Sequence, residues 1–305
     1  MDLIHTFMNI ALPPITLILL ICALPPLLVF KLTTSIKRSI SGENLAGKVV
    51  LITGAGSGIG EQIAYEYARK GALLALVDIK EDNLVTVSNN ARSLGSSDVI
   101  TIAADVSKVE DCKRLIDETV NHFWRLDHLV TNAGILRHSG FKDVASLNSD
   151  LLHPVMNVNF WGAVYTIHSA IPHLRRTKGK IVAISSTCGW YPLPTLSIYN
   201  ASKAALINFC ETLRTELGNS IGVTIVTPGV IETKMTTEDQ DFFKVIPAVS
   251  AERCGKAIVR SARRGDLYLT EPCWVRTMFP IKLIIPLIVE WGNRRVFKLN
   301  RTKLQ

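Results

Sequence analysis

Residues 3–30 contain no Asp, Glu, Lys or Arg, and about twenty apolar residues suffice to cross the hydrocarbon core of a bilayer. That absence of charge marks a membrane segment. A cleaved secretory signal is disfavoured, because Asp2 stands where a basic region is needed and Pro25-Pro26 obstruct a small-residue cleavage site. The same proline pair, with Pro13-Pro14, removes backbone donors, so the stretch reads as a kinked span or as a hairpin dipping into one leaflet. Lys31, Lys37 and Arg38 follow it while Asp2 precedes it, an asymmetry that places the remainder of the chain on the cytosolic side.

Cysteine is sparse. The six residues Cys22, Cys112, Cys188, Cys210, Cys254 and Cys273 show no C-x-x-C spacing, which excludes a disulfide framework and a zinc site, and leaves no metal centre to expect. Internal repeats and low-complexity tracts are missing as well, so a solenoid scaffold is disfavoured. The formal charge of +8 is concentrated near the two chain ends beside apolar segments. That pattern suits an anionic membrane surface better than nucleic acid.

Between these ends, apolar strands alternate with helical stretches in the βαβ manner. Strands fit residues 49–53, 72–77, 99–103, 129–132, 180–185, 223–227 and 267–269, each pair separated by enough chain for a crossover helix. The expectation is an α/β fold, a Rossmann-type doubly wound parallel sheet of about seven strands spanning residues 41–272. A membrane anchor (1–40) precedes it and an apolar, basic tail (273–305) follows.

The first strand runs into Thr53-Gly54-Ala55-Gly56-Ser57-Gly58-Ile59-Gly60. A diphosphate needs backbone amides close to its oxygens at a helix N-terminus, and glycine supplies the clearance. The spacing departs from G-x-G-x-x-G, since Ile59 stands where the last glycine is expected, so the loop alone is also compatible with a tight ligand-free turn. Asp78 ends the second strand, where a carboxylate can accept both ribose hydroxyls and repel a 2′-phosphate, favouring NAD over NADP; Lys80 blurs that preference. Asp105 and Val106 are placed to accept from an adenine amino group. Asn132-Ala133-Gly134 brings backbone close to the cofactor ribose.

Hydride transfer at an alcohol carbon must be matched by proton transfer at its oxygen. Tyr199 and Lys203 are i and i+4, on one face of a helix, and a nearby ammonium lowers a phenol pKa. Ser186, thirteen positions before Tyr199, can donate to the substrate oxygen. Asn159 can hold a water that links Lys203 to solvent. Catalysis is thus expected from Asn159, Ser186, Tyr199 and Lys203, with Ser186 and Tyr199 touching substrate.

From 48 to 269 these motifs, in order, resemble the short-chain dehydrogenase/reductase family: its T-G-x-x-x-G-x-G at Thr53–Gly60, its N-A-G at Asn132, its helix asparagine at Asn159, and its serine, tyrosine and lysine at Ser186, Tyr199 and Lys203. Pro228-Gly229 with Thr233 resembles the P-G-x-x-x-T run that, in the family, holds the nicotinamide carboxamide. The resemblance implies that Gly54, Ser57, Gly58, Ile59, Gly60, Tyr199 and Lys203 also touch the nucleotide, and that a homodimer is formed. The proline-bearing N-terminus, Ser41-Gly42-Glu43-Asn44-Leu45-Ala46-Gly47-Lys48 and Tyr65-Glu66-Tyr67-Ala68 are similar to plant steroleosins, the 11β-hydroxysteroid dehydrogenase-like group. That likeness implies a sterol-like alcohol as substrate and placement on endoplasmic reticulum or lipid droplets. Trp124 stands where the family pattern has glycine, and Thr131 replaces an asparagine, read as a surface-loop change.

The substrate class depends on the segment 233–251. There Phe242, Phe243, Val245, Ile246 and Pro247 either line an apolar site or pack as an ordinary flap. The tail 274–291 is broken by Arg276, Pro280, Lys282 and Pro286, so it reads as an interfacial segment or pocket cap ahead of the basic Arg294, Arg295, Lys298, Arg301 and Lys303. Two rival readings are a retinol or other lipid-alcohol dehydrogenase and a structural lipid-droplet coat protein whose redox chemistry is incidental.

Overall fold

The structure is a computed structural model that describes residues 2–40, 42–138, 153–237 and 246–297. The chain divides into two compact units, Met1–Glu43 and Asn44–Gln305.

The first unit is one continuous helix, α1 (Asp2–Ile40), with all four prolines inside it; a hairpin is therefore not what forms. Each proline removes its own N–H bond and its ring crowds the carbonyl four residues back, so the helix runs through both pairs at a local cost, carried by the regular turns between them. Residues 2–30 make a helix long and apolar enough to cross a membrane.

In the second unit, β1 (Val49–Thr53), α2 (Gly58–Ala68), β2 (Leu73–Asp78), α3 (Glu81–Ser93), β3 (Val99–Ala103), α4 (Val109–Phe123) and β4 (His128–Thr131) form one half of the sheet. The other half comprises α5 (His153–Met156), a π-helical turn (Asn157–Trp161), α6 (Gly162–Thr177), β5 (Lys180–Ile184), α7 (Ser197–Leu217) and β6 (Gly222–Pro228). There follow β7 (Ile231–Glu232), α8 (Lys234–Thr237), β8 (Val249–Ser250), a helix over Ala251–Arg264, β9 (Tyr268–Glu271) and two helices, Met278–Ile284 and Pro286–Val296. The seven-stranded sheet has the order β3-β2-β1-β4-β5-β6-β9, and every pairing in it is parallel.

A strand points successive side chains to opposite faces, and the buried residues sort accordingly. Val50, Ile52, Leu74, Leu76, Val182 and Ile184 pack on one side with α2 and the helix Ala251–Arg264. Val49, Leu51, Ala75, Val77, Ile181 and Ala183 pack on the other with α4, α6 and α7. Strands buried on both faces explain the continuous apolar runs in the sequence.

Chain order reverses between β1 and β4, and a cleft opens at such a switch point beyond the strands' C-terminal ends. The glycine loop leaves β1 there, and Asn132 follows β4.

Two residues read differently in the structure. Thr131 is not on a surface loop: it ends β4 and is buried, and its hydroxyl has no hydrogen-bond partner among the described residues. Trp124 caps α4 in the left-handed region at φ 61°, which is why glycine suits the position; the indole is 87% exposed, and the conformation costs roughly 1 kcal/mol in a residue with a Cβ.

Candidate active site

The glycine loop is held from below by the segment after β4. Asn132 Nδ2 donates to the carbonyls of Thr53 (3.1 Å) and Gly54 (2.9 Å), while Thr53 Oγ1 accepts from the N–H groups of Asn132 (3.1 Å) and Ala133 (3.2 Å). Gly54 has φ +64°, and a Cβ there would lie 2.7 Å from Ala133 Cα, so only glycine fits. Gly60 lets the first turn of α2 pass against Gly54 and Asn132. Ser57 begins α2 without a side-chain capping bond, leaving the helix's first N–H groups open for an anion.

Asp78 lies across the loop. Its carboxylate accepts from the Gly56 N–H and the Lys80 N–H, each at 3.0 Å. A Cβ on Gly56 would fall 2.9 Å from Asp78 Oδ2. The loop thus leaves an open cradle facing a fixed carboxylate, which fits a dinucleotide.

A cavity of about 620 Å³ runs from this cradle to the C-terminal helices. Gly54, Ser57, Gly58, Ile59, Asp78 and Lys80 line one end; Asn132, Ala133, Gly134, Ser186, Tyr199 and Lys203 the middle; Pro228, Gly229 and Thr233 continue the wall. Thr233 reaches the loop itself, its Cγ2 lying 3.1 Å from the position a Cβ would take on Gly58. The cavity therefore brings together most of the residues expected from the sequence, including Ile246 and Pro247; Phe242, Phe243 and Val245 lie outside the described residues.

Four residues stand apart from the lining: Gly60, Asp105, Val106 and Asn159. Gly60 serves the packing just described. Asp105 and Val106 flank a turn in which the Asp105 carboxylate accepts from the Ser107 N–H (3.0 Å) and hydroxyl (2.7 Å), and Val106 packs against Gly162. Asn159 is also set back: buried in the π-helical turn, it accepts from the Ile135 N–H (2.8 Å) and donates to the Ile135 carbonyl (2.9 Å) and to Ser202 Oγ (3.1 Å). Its amide is thus committed to fixing the backbone beside Gly134, where a Cβ would meet both Asn159 Oδ1 (3.3 Å) and Lys203 Nζ (3.4 Å).

Tyr199 and Lys203 rise from one face of α7, with Nζ 5.8 Å from the phenol ring centroid. Lys203 donates to the Ile184 carbonyl at 3.0 Å. Ser186 caps a short 3-10 turn, Thr187–Gly189, accepting from the Cys188 N–H at 3.1 Å. Burial pushes the Tyr199 phenol well up, the adjacent Cys188 adds to this, and a hydrogen bond with Ser186 opposes it. Burial lowers Lys203 to about 8. The shift of Tyr199 is therefore upward rather than the depression expected from Lys203: withdrawal from water outweighs the Ser186 hydrogen bond, and burial draws both Tyr199 and Lys203 toward their neutral forms.

Reading the sequence missed Cys188 and, at the apolar end of the cavity, Tyr191 and Leu193. Cys188 lines the cavity between Ser186 and Tyr199, with its thiol pushed by burial to about 11. Tyr191, Leu193, Trp274, Val275 and Met278 complete the apolar end. Tyr191 and Leu193 had only their position between Ser186 and Tyr199 as a signal, whereas Trp274, Val275 and Met278 belong to the tail 274–291, read from the sequence as an interfacial segment or pocket cap.

The short chain dehydrogenase family model matches residues 48–242. This chain belongs to the short-chain dehydrogenase/reductase family. It is accordingly an NAD(P)-dependent oxidoreductase. It is 49% identical over 312 residues to 11-beta-hydroxysteroid dehydrogenase A of Arachis hypogaea, covering 97% of this chain and 89% of the relative. It is also 49% identical over 303 residues to 11-beta-hydroxysteroid dehydrogenase-like 3 of Arabidopsis thaliana, covering 97% and 96%. A short-chain dehydrogenase/reductase from Burkholderia phymatum, solved in complex with NAD, superposes with a TM-score of 0.73 at 24% identity, covering 79% of this chain and 94% of that one.

Proposed function

We propose that this short-chain dehydrogenase interconverts a hydroxysteroid, or a similarly lipophilic secondary alcohol, and its ketone. The observation that carries the reading is one cavity in which Tyr199, Ser186 and Lys203 lie between a glycine-loop cradle and a wall of apolar side chains. The names of the curated plant relatives favour a steroid-like skeleton.

Gly54, Ser57, Gly58, Ile59, Asp78, Asn132, Thr233 and Lys203 would hold the nucleotide, which when bound supplies or accepts the hydride. The chain's own part is proton transfer. Tyr199, kept neutral by burial, donates to a carbonyl oxygen in the reductive direction. Ser186 steadies the same oxygen by donating a hydrogen bond as charge develops, and Lys203 holds positive charge nearby. Asn159 acts as a positioning residue through Ile135 and Ser202. Oxidation needs the phenolate, so its rate should climb with pH well beyond neutrality, while reduction stays level until the phenol ionises.

Asp78 favours NAD, because its fixed carboxylate would repel a 2′-phosphate. The reading extends to a membrane site on endoplasmic reticulum or lipid droplets with the catalytic unit cytosolic. It is supported by α1 and by the exposed Leu283, Ile284, Leu287, Ile288 and Trp291 beside Arg294 and Arg295, a composition suited to a lipid interface.

The test is a panel of hydroxysteroids, retinol and short secondary alcohols assayed with each nucleotide on wild type and Asp78→Ala. Turnover confined to short alcohols sinks the lipophilic reading; an NADP preference, or an NAD preference untouched by the substitution, sinks the role of Asp78. Protection of the catalytic unit from protease in sealed microsomes would contradict the cytosolic orientation.

A further inference from the structure

The segment 190–196, Trp-Tyr-Pro-Leu-Pro-Thr-Leu, joins the turn that begins at Ser186 to the helix that bears Tyr199. It carries three cavity-lining side chains, Tyr191, Leu193 and Leu196. Pro192 and Pro194 have no N–H, and the segment forms neither helix nor strand. Its carbonyls need partners from elsewhere.

Four of them take side-chain donors. Asn200 Nδ2 donates to the Leu193 carbonyl at 2.8 Å, and Thr195 Oγ1 to that of Pro194 at 2.5 Å. The other two donors come from the C-terminal helices, about a hundred residues on: Lys282 Nζ reaches the Trp190 carbonyl at 2.5 Å, and Asn293 Nδ2 the Pro192 carbonyl at 3.3 Å. Phe279 adds an edge-to-face contact with Trp190, centroids 5.6 Å apart. Lys282 is half-buried and forms no ion pair among the described residues. Its ammonium is spent on a main-chain oxygen that closes the 3-10 turn after Ser186, where a cation meets unpaired carbonyls favourably. Met278, Asn293, Val296 and Phe297, on or beside the same helices, line the cavity. The helices therefore form the far wall and hold the near one.

We propose that Lys282 and Asn293 are positioning residues that fix the segment 190–196 across the cavity, and thereby set affinity for the apolar body of the substrate. The proposal rests on the functional reading above for its substrate. The two ties lie at the apolar end, away from the glycine loop, so their loss should act on substrate affinity and leave nucleotide affinity alone. Within this wall, Asn293 is the amide among apolar neighbours, with Nδ2 already committed to Pro192, so Oδ1 is the atom left to accept from a distal hydroxyl on an elongated substrate.

The experiment uses full-length protein in detergent with Lys282→Met, Lys282→Arg and Asn293→Leu. Hydrogen exchange of the amides in 190–196 is read without substrate, nucleotide Kd is measured, and KM and kcat follow on the best alcohol from the panel. Lys282→Met should speed exchange in this segment and raise KM about tenfold, with kcat and nucleotide Kd each within about twofold. Lys282→Arg, which can still donate, should restore both, and Asn293→Leu should raise KM more for substrates with a distal hydroxyl than for those without. Unchanged exchange and KM in Lys282→Met overturn the proposal, as does an equal loss of nucleotide binding, which would mean general unfolding. Should wild type bind nucleotide yet turn over no alcohol, the functional reading fails, while the exchange result still decides whether the tie holds the segment.

Discussion

The two ends of the cavity are held together differently. Around the glycine loop, short-range geometry does the holding: Asn132 and Thr53 lock adjacent strand ends to each other, Asp78 takes the Gly56 N–H, and all of it follows directly from buried parallel strands. Around 190–196, long side chains from the C-terminal helices fasten a segment rich in proline. The first kind of bond is part of the sheet and shares its cooperativity. The second can be lost singly, because a flexible lysine or asparagine side chain is released without opening the core. Damage at the loop end should therefore appear as lost stability or nucleotide binding, and damage at the far end as altered substrate use.

The sharpest way to break that contrast lies where the ends meet. Tyr199→Phe should lower turnover by about a hundred- to ten-thousandfold with nucleotide Kd nearly unchanged; a titration showing both lost together would erase the distinction.

Next in size is Asp127, which ties the entry of β1 to that of β4. It accepts from the Val49 N–H at 3.0 Å and from Arg125 at 2.7 and 2.8 Å, with Lys48 at 3.2 Å. Burial raises its pKa, but the Arg125 guanidinium, the Val49 N–H and Lys48 outweigh burial and hold it below the ordinary range. A carboxylate with a depressed folded pKa contributes stability that is present above the unfolded value and lost as pH falls through the folded one. Asp127→Asn should cost about 2 kcal/mol at neutral pH and flatten the acid limb of a urea-denaturation series below about pH 4. An unchanged acid limb would remove Asp127 from the account.

Lys203 gives the opposite limb. Its folded value of about 8 lies below the unfolded one near 10.4, so the unfolded chain binds more protons between them and wild-type stability should rise with pH across that window. Denaturation of Lys203→Met at pH 7.5 and 10 should show a smaller rise.

The smallest effects belong to the two residues that depart from the family pattern. Trp124→Gly should raise stability by roughly 1 kcal/mol, because glycine accepts the left-handed conformation at little strain; thermal melts would show no gain if the exposed indole were held by something else. Thr131→Val should be neutral or slightly stabilising, since the buried hydroxyl it removes has no partner among the described residues; a marked loss of stability would mean that the hydroxyl is engaged.

The sheet was legible because period and composition act locally: seven apolar runs spaced for crossovers leave few topologies. Their bounds shifted by about a residue, as β2 at Leu73–Asp78 and β4 at His128–Thr131 show, because strand ends are set by pairing partners. Gly54, Ser57, Gly58, Asp78 and Asn132 were legible because a nucleotide cradle demands clearance and charge at fixed spacing from a strand. Asp105, Val106 and Asn159 were read as cavity groups, but the Asp105 carboxylate is engaged by Ser107 and the Asn159 amide by Ile135 and Ser202.

By itself, the sequence determined the parallel sheet, the glycine loop and the Ser186, Tyr199 and Lys203 set, since each depends on contacts between residues close in the chain or on adjacent strands. Only the tertiary structure decided the direction of the pKa shifts, the left-handed backbone under Trp124 and the fastening of 190–196 by Lys282 and Asn293. Burial and long-range hydrogen bonds depend on where distant segments meet, and no local pattern encodes that meeting.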